Sequence, residues 1–186
     1  MKRRKIGILA GTFDPVHKGH IAFAIEAART CDLDKVYLLP ERSPRIKKDV
    51  TDFDDRLAML KLAVKDHEEL DVLELHEDQF TVSGTLPRLR TQFAPAQVVF
   101  LLGSDVAANL GNWPGLGPLI IGLRRDDERA DAERVLSQLD IPEPATLISS
   151  PDPHAASSQA RQQKTTNYLD SAVLDYIKAH KLYSSK

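Results

Sequence analysis

A chain of 186 residues, 42% hydrophobic and 28% charged, has the length and apolar content to bury one core, which excludes disorder and makes a single domain over 1–186 the expectation. A net charge of −2 gives no global positive field, so neither nucleic acid nor an anionic membrane is expected as a partner, although a locally basic cleft would still hold a small anion. The single cysteine, Cys31, excludes an internal disulfide framework and a cysteine-rich zinc site, and the lack of a membrane-length apolar stretch or a signal-peptide core points to the cytoplasm.

In chain order, the apolar run 6–10 predicts a first strand, and 19–29 a helix that leaves Cys31 just beyond its end as a packed or idle thiol. A strand follows at 36–39, then a helix over 54–65 with Leu57, Leu60, Leu62 and Val64 as its apolar positions, and a strand at 72–75. Residues 85–93 read as a helix with Pro87 in its first turn, 98–102 and 119–123 as Val- and Ile-containing strands, 126–139 as a charged surface helix, and 145–149 as a last strand. After the loop 150–154, Ala172, Val173, Tyr176 and Ile177 fall at helical spacing and predict a docked amphipathic helix over 171–180. Alternating strand and helix gives an α/β fold: a Rossmann-like, doubly wound parallel sheet flanked by helices, with a small helical C-terminal part from about residue 155 to 186.

The first strand leads into G-T-F-D-P-V-H-K-G-H at 11–20. In open parallel sheets ligands sit beyond the carboxyl ends of the strands, where loops meet helix N-termini. Gly11 permits a tight turn and close backbone approach, Pro15 stiffens the loop, and Gly19 removes a side chain where a helix start can meet a ligand. His17 and His20, three apart, share one side of the first helical turn and can converge on one anion, which would favour their charged form. Zinc would need further ligands that the neighbouring sequence lacks, and helix capping is a role Ser or Asp would fill better, so phosphate ranks ahead of both.

This stretch resembles the G-x-F-x-P-x-H-x-G-H signature of the H-x-G-H nucleotidyltransferases. Y-L-L-P at 37–40, D-R-L-A-M-L at 55–60, L-G-S-D at 102–105, N-W-P at 112–114 and V-L-D-Y-I-K-A-H-K-L-Y at 173–183 extend the likeness, in order, to the bacterial nicotinate mononucleotide adenylyltransferases over nearly the whole chain. The resemblance implies transfer of the adenylyl group of ATP to a pyridine mononucleotide, with release of pyrophosphate. It assigns His17 and His20 to the ATP phosphates and Gly11, Thr12, Phe13 and Gly19 to the loop and helix start against the nucleotide. Mg²⁺ is implied with the triphosphate, held by the phosphates and water and by no all-protein metal cage.

The chain departs from the family at three places. P-R-I-K at 44–47 stands where P-P-H-K is usual, which leaves Lys47 for the phosphate role with Arg45 or Lys48 as substitutes. A-A-S-S-Q-A-R at 155–161 stands for I-S-S-T-x-x-R, retaining Ser157, Ser158 and Arg161 for the triphosphate, against a capped surface helix as the plain alternative. F-T-V-S-G-T-L at 80–86 is one residue longer than the family turn that meets the nicotinate carboxylate; Thr85 is the residue carried over, with a helix cap as an equal reading, and Gly84 allows backbone approach. The resemblance also places Asp105, Trp113 and Arg124 beside the acceptor nucleotide, against a cap, a core aromatic and a surface ion pair. Alternatives at the level of function are nicotinamide mononucleotide or another phosphorylated acceptor, and an ATP-binding sensor without turnover; a monomer and a homo-oligomer are both compatible with the sequence.

Overall fold

The computed structural model describes residues 3–44, 49–75, 77–81, 83–104, 117–124, 128–138, 145–149, 157–162 and 167–183. Strands β1 (Lys5–Gly11), β2 (Lys35–Pro40), β3 (Leu70–Val72), β4 (Gln97–Gly103), β5 (Leu119–Leu123) and β6 (Thr146–Ser149) form one parallel sheet in the order β3-β2-β1-β4-β5-β6. Helices α1 (Lys18–Cys31), α2 (Phe53–Val64), α3 (Thr85–Phe93), α4 (Glu128–Leu136), α5 (Ser157–Arg161) and α6 (Ser171–Ala179) connect or cover the strands.

The strands are apolar almost throughout because both sheet faces are covered, and their period of two divides the core into halves. Leu9, Val36, Leu38, Val99, Leu101 and Ile120 pack with Phe23 and Ala24 of α1, Met59 and Leu60 of α2 and Val173 of α6. Ile6, Ile8, Val98, Phe100 and Ile121 pack on the other face with Leu86 and Leu89 of α3 and Ala132 of α4. Gly122 makes room for this arrangement, since a Cβ there would lie 2.8 Å from the Phe23 ring.

Two expected features move. The third strand is Leu70–Val72 in place of 72–75: Leu73 N–H still donates to Leu38 O at 3.0 Å, after which the chain leaves the ladder, and Leu75 is buried in the second core without pairing. An apolar run reports burial, and burial does not require strand pairing. In α2 the buried stripe is Arg56, Leu57, Met59, Leu60, Ala63 and Val64, while Leu62 is only half-buried. The remaining described elements lie within a few residues of their expected positions.

The strand order sets where a candidate site opens. β1 lies between β2 and β4, so chains leaving the carboxyl ends of β1 and β4 diverge and open a crevice there. The loop 12–17 follows β1 into that crevice.

Candidate active site at the end of the first strand

β1 ends at Gly11, where a Cβ would come within 3.1–3.4 Å of three ring atoms of Phe13. The missing side chain lets that ring fold back beneath the loop, where Phe13 is 2% exposed. Phe13 takes a left-handed backbone, φ +50°, which costs a non-glycine residue on the order of 1–3 kcal/mol and persists only when its surroundings over-determine it.

Those surroundings come from three directions. Arg56 of α2, fully buried, donates from Nη1 to Thr12 O at 2.7 Å and Glu41 O at 2.8 Å, from Nε to Thr51 O at 2.8 Å and from Nη2 to Arg42 O at 3.0 Å. One guanidinium thus ties the exits of β1 and β2 to the entry of α2. Arg161 of α5 donates to Asp14 O, with its Nη1 3.9 Å from Asp14 Oδ2, and Ser157 Oγ donates to Pro15 O at 2.9 Å. From the C-terminal tail, the Tyr183 hydroxyl donates to Asp14 Oδ1 at 2.6 Å. Burial pushes the Arg56 guanidinium below its ordinary value, with Asp14 the foremost charge opposing the shift. Burial and the bond to Asp14 hold the Tyr183 phenol far above the ordinary tyrosine range.

The helix start carries the histidines. His17 is the N-cap of α1, with extended backbone and 6% exposure, and His20 is the third helical residue. His17 N–H donates to His20 Nδ1 at 3.3 Å, so the capping that sequence analysis ranked behind phosphate is present in this structure. This bond fixes the orientation of the His20 ring over the helix start. The two rings stack with centroids 3.6 Å apart, and the Phe13 ring meets His20 edge-on at 5.0 Å. Gly19, in the same first turn, is buried.

Residues 8–160 match the family model described as cytidylyltransferase-like. The nicotinate-nucleotide adenylyltransferase of Bacillus subtilis is 30% identical across 98% of this chain and 100% of its own length. A Synechococcus protein named as a probable nicotinate-nucleotide adenylyltransferase is 36% identical across 98% of each chain. This chain belongs to the nicotinate-nucleotide adenylyltransferase family. As a member of that family it is a nucleotidyltransferase. The solved structure of the Plasmodium falciparum nicotinic acid mononucleotide adenylyltransferase complexed with NaAD superposes with a TM-score of 0.81, at 20% identity and 99% coverage of both chains, a likeness of fold.

Within this nucleotidyltransferase, Gly11, Thr12, Phe13, His17, Gly19 and His20 come together as one loop and helix start, and Ser157 and Arg161 join them through Pro15 and Asp14. Ser158 is exposed on α5. Thr85 is 1% exposed and its hydroxyl accepts from Thr81 N–H at 3.0 Å, while Thr81 Oγ1 accepts from Gly84 and Thr85 N–H at 3.2 and 3.3 Å. The turn therefore caps α3 reciprocally, and the backbone donors expected for an acceptor carboxylate are engaged inside it. Arg124 is exposed at the end of β5, with its backbone N–H on Glu128 Oε2 at 3.0 Å. Lys47 with its substitutes Arg45 and Lys48, and Asp105 and Trp113, lie outside the described residues.

Sequence reasoning missed the holders of the loop, Arg56, Asp14 and Tyr183. A signal existed for Arg56: at helical spacing it shares a face with Met59, Leu60 and Ala63, and a charge on an apolar stripe marks a buried network. Among the described residues no cluster of three His, Cys, Asp or Glu side chains is placed to hold a metal, and no helix is long and apolar enough to cross a membrane.

Proposed function

We propose that the protein transfers the adenylyl group of ATP to nicotinate mononucleotide, forming nicotinate adenine dinucleotide and pyrophosphate, a step of NAD biosynthesis. The observation that carries this reading is the stacked His17–His20 pair in the first turn of α1, at the crevice where β1 and β4 part. The names of the relatives, and the dinucleotide bound to the Plasmodium falciparum enzyme, support the choice of acceptor.

In this mechanism an oxygen of the acceptor's phosphate attacks the α-phosphorus of ATP in line, and the bond to the bridging oxygen of pyrophosphate breaks. The nucleophile is already an anion, so no general base is required, and catalysis consists of positioning two anions and stabilising the charge that leaves. The His17 and His20 imidazoles, with the positive end of the α1 dipole behind them, act on the triphosphate. The turn Gly11-Thr12-Phe13 and the helix start at Gly19 lie against the nucleotide, with the Phe13 ring buried beneath as support. Lys47, Ser157, Ser158 and Arg161 add charge and hydroxyls around the phosphates, with Arg161 also holding Asp14. Mg²⁺ enters as part of the substrate, MgATP. Thr85, Asp105, Trp113 and Arg124 belong to the acceptor side, Trp113 by stacking on the pyridine and Thr85 by shaping the 81–86 turn.

Pyrophosphate release from MgATP with nicotinate mononucleotide, nicotinamide mononucleotide or pantetheine phosphate tests the reading. The highest specificity constant is expected with nicotinate mononucleotide. A higher value with the amide would reassign the acceptor and retain adenylyl transfer, whereas ATP binding without release from any acceptor would make the protein a sensor.

A further inference from the structure

The phosphate-side loop is held from the far end of the chain. Tyr183 is 169 residues from Asp14 in sequence, yet its hydroxyl donates to Asp14 Oδ1 at 2.6 Å. The tail is built to reach that point. α6 seats Val173 in the core and ties Tyr176 to Asp55 of α2 at 2.9 Å, after which Leu182 N–H returns to Ile177 O at 3.0 Å. Tyr183 itself adopts φ +58°, a costly backbone for an aromatic residue, which turns its ring toward Asp14.

Asp14 is 3% exposed and follows Phe13, the left-handed residue whose ring meets His20 edge-on. Asp14 thus links Tyr183 to the histidine turn, beside the bonds of Lys18 to Tyr168 O and Asn167 O. We propose that Tyr183 is a positioning residue for adenylyl transfer, latching the nucleotide loop through Asp14 so that Phe13 and His20 keep their places before ATP arrives. The latch rests on the function proposed above and deepens it. Its chemistry is pre-organisation: a loop already ordered loses less freedom when the triphosphate binds.

Tyr183→Phe deletes only the hydroxyl, and Asp14→Ala removes the carboxylate that accepts from it. Steady-state kinetics with nicotinate mononucleotide, and hydrogen exchange of the ligand-free 11–17 segment, are measured for wild type, both single variants and the double variant. Y183F is expected to raise KM for ATP about tenfold, the scale of one hydrogen bond to a charged group, and to leave KM for the acceptor unchanged. Exchange over 11–17 should quicken, and the double variant should be no worse than D14A, since both changes break one interaction. Wild-type ATP KM and exchange in a folded Y183F, or effects that add in the double variant, would overturn the latch. If Y183F does not fold, D14A carries the same comparison: a raised ATP KM with faster 11–17 exchange supports the latch, and wild-type values overturn it. A wild type without turnover would fail the proposed function alone, and the exchange measurement would then decide the latch by the same two outcomes.

Discussion

Replacing Arg56 by methionine, which keeps much of the length and none of the charge, removes four donors from one buried side chain. The bond to Thr12 O is buried, and those to Thr51, Glu41 and Arg42 are partly buried. A buried acceptor left without its donor costs about 1–3 kcal/mol, and a partly wetted one recovers some of that from water. The Thr12 carbonyl therefore carries most of one such penalty and the other three carry fractions of it. Asp14 also loses the nearby cation that offsets its burial. Relief from desolvating the guanidinium works the other way, and the net loss is about 3–5 kcal/mol, the range for breaking one side of a buried charged network. For a domain of this size that corresponds to a fall in melting temperature of roughly 6–20 °C. Urea unfolding of wild type and R56M, compared at constant m-value, measures the loss directly. A loss below about 1 kcal/mol would show that the four contacts are incidental and that the loop is held by other means.

His20→Ala should reduce turnover by at least ~100-fold, the scale of losing one preorganised donor to developing charge, and near-normal turnover in a folded variant would remove His20 from the mechanism. Arg161→Gln should weaken ATP binding by about 1–3 kcal/mol in calorimetry if the side chain meets the triphosphate; unchanged affinity would confine it to holding Asp14. Tyr183 has a folded-state pKa raised above the ordinary 10.0, so its contribution is complete below about pH 10 and is lost as pH rises toward the folded value. Wild type should therefore lose stability between about pH 9 and 11 more steeply than Y183F in urea titrations, and equal slopes would contradict the assigned environment.

The alternation of apolar runs with helical patterns determined the parallel α/β sheet, and the ten residues 11–20 determined where the candidate site was placed. Both are local signals: strand burial on two faces writes a continuous apolar run, and a glycine-bounded turn with His17 and His20 at helical spacing needs only its own neighbours to be read. The end of β3 was not readable in this way, because Leu75 is as apolar as a strand residue while only its distance from β2 decides pairing. Nor was the capping role of His20, whose Nδ1 is committed by a backbone N–H that no residue pattern displays. Thr85 shows the same limit, since Thr81 engages its hydroxyl and backbone within one turn. Arg56, Asp14 and Tyr183 lie in three separate stretches, and only the packing of α2 and α6 on one sheet face brings them around the same loop. The type of chemistry resides in short segments whose geometry is local. The precision with which the loop is held depends on contacts between residues as far apart as 169 positions, which exist only once the chain has folded.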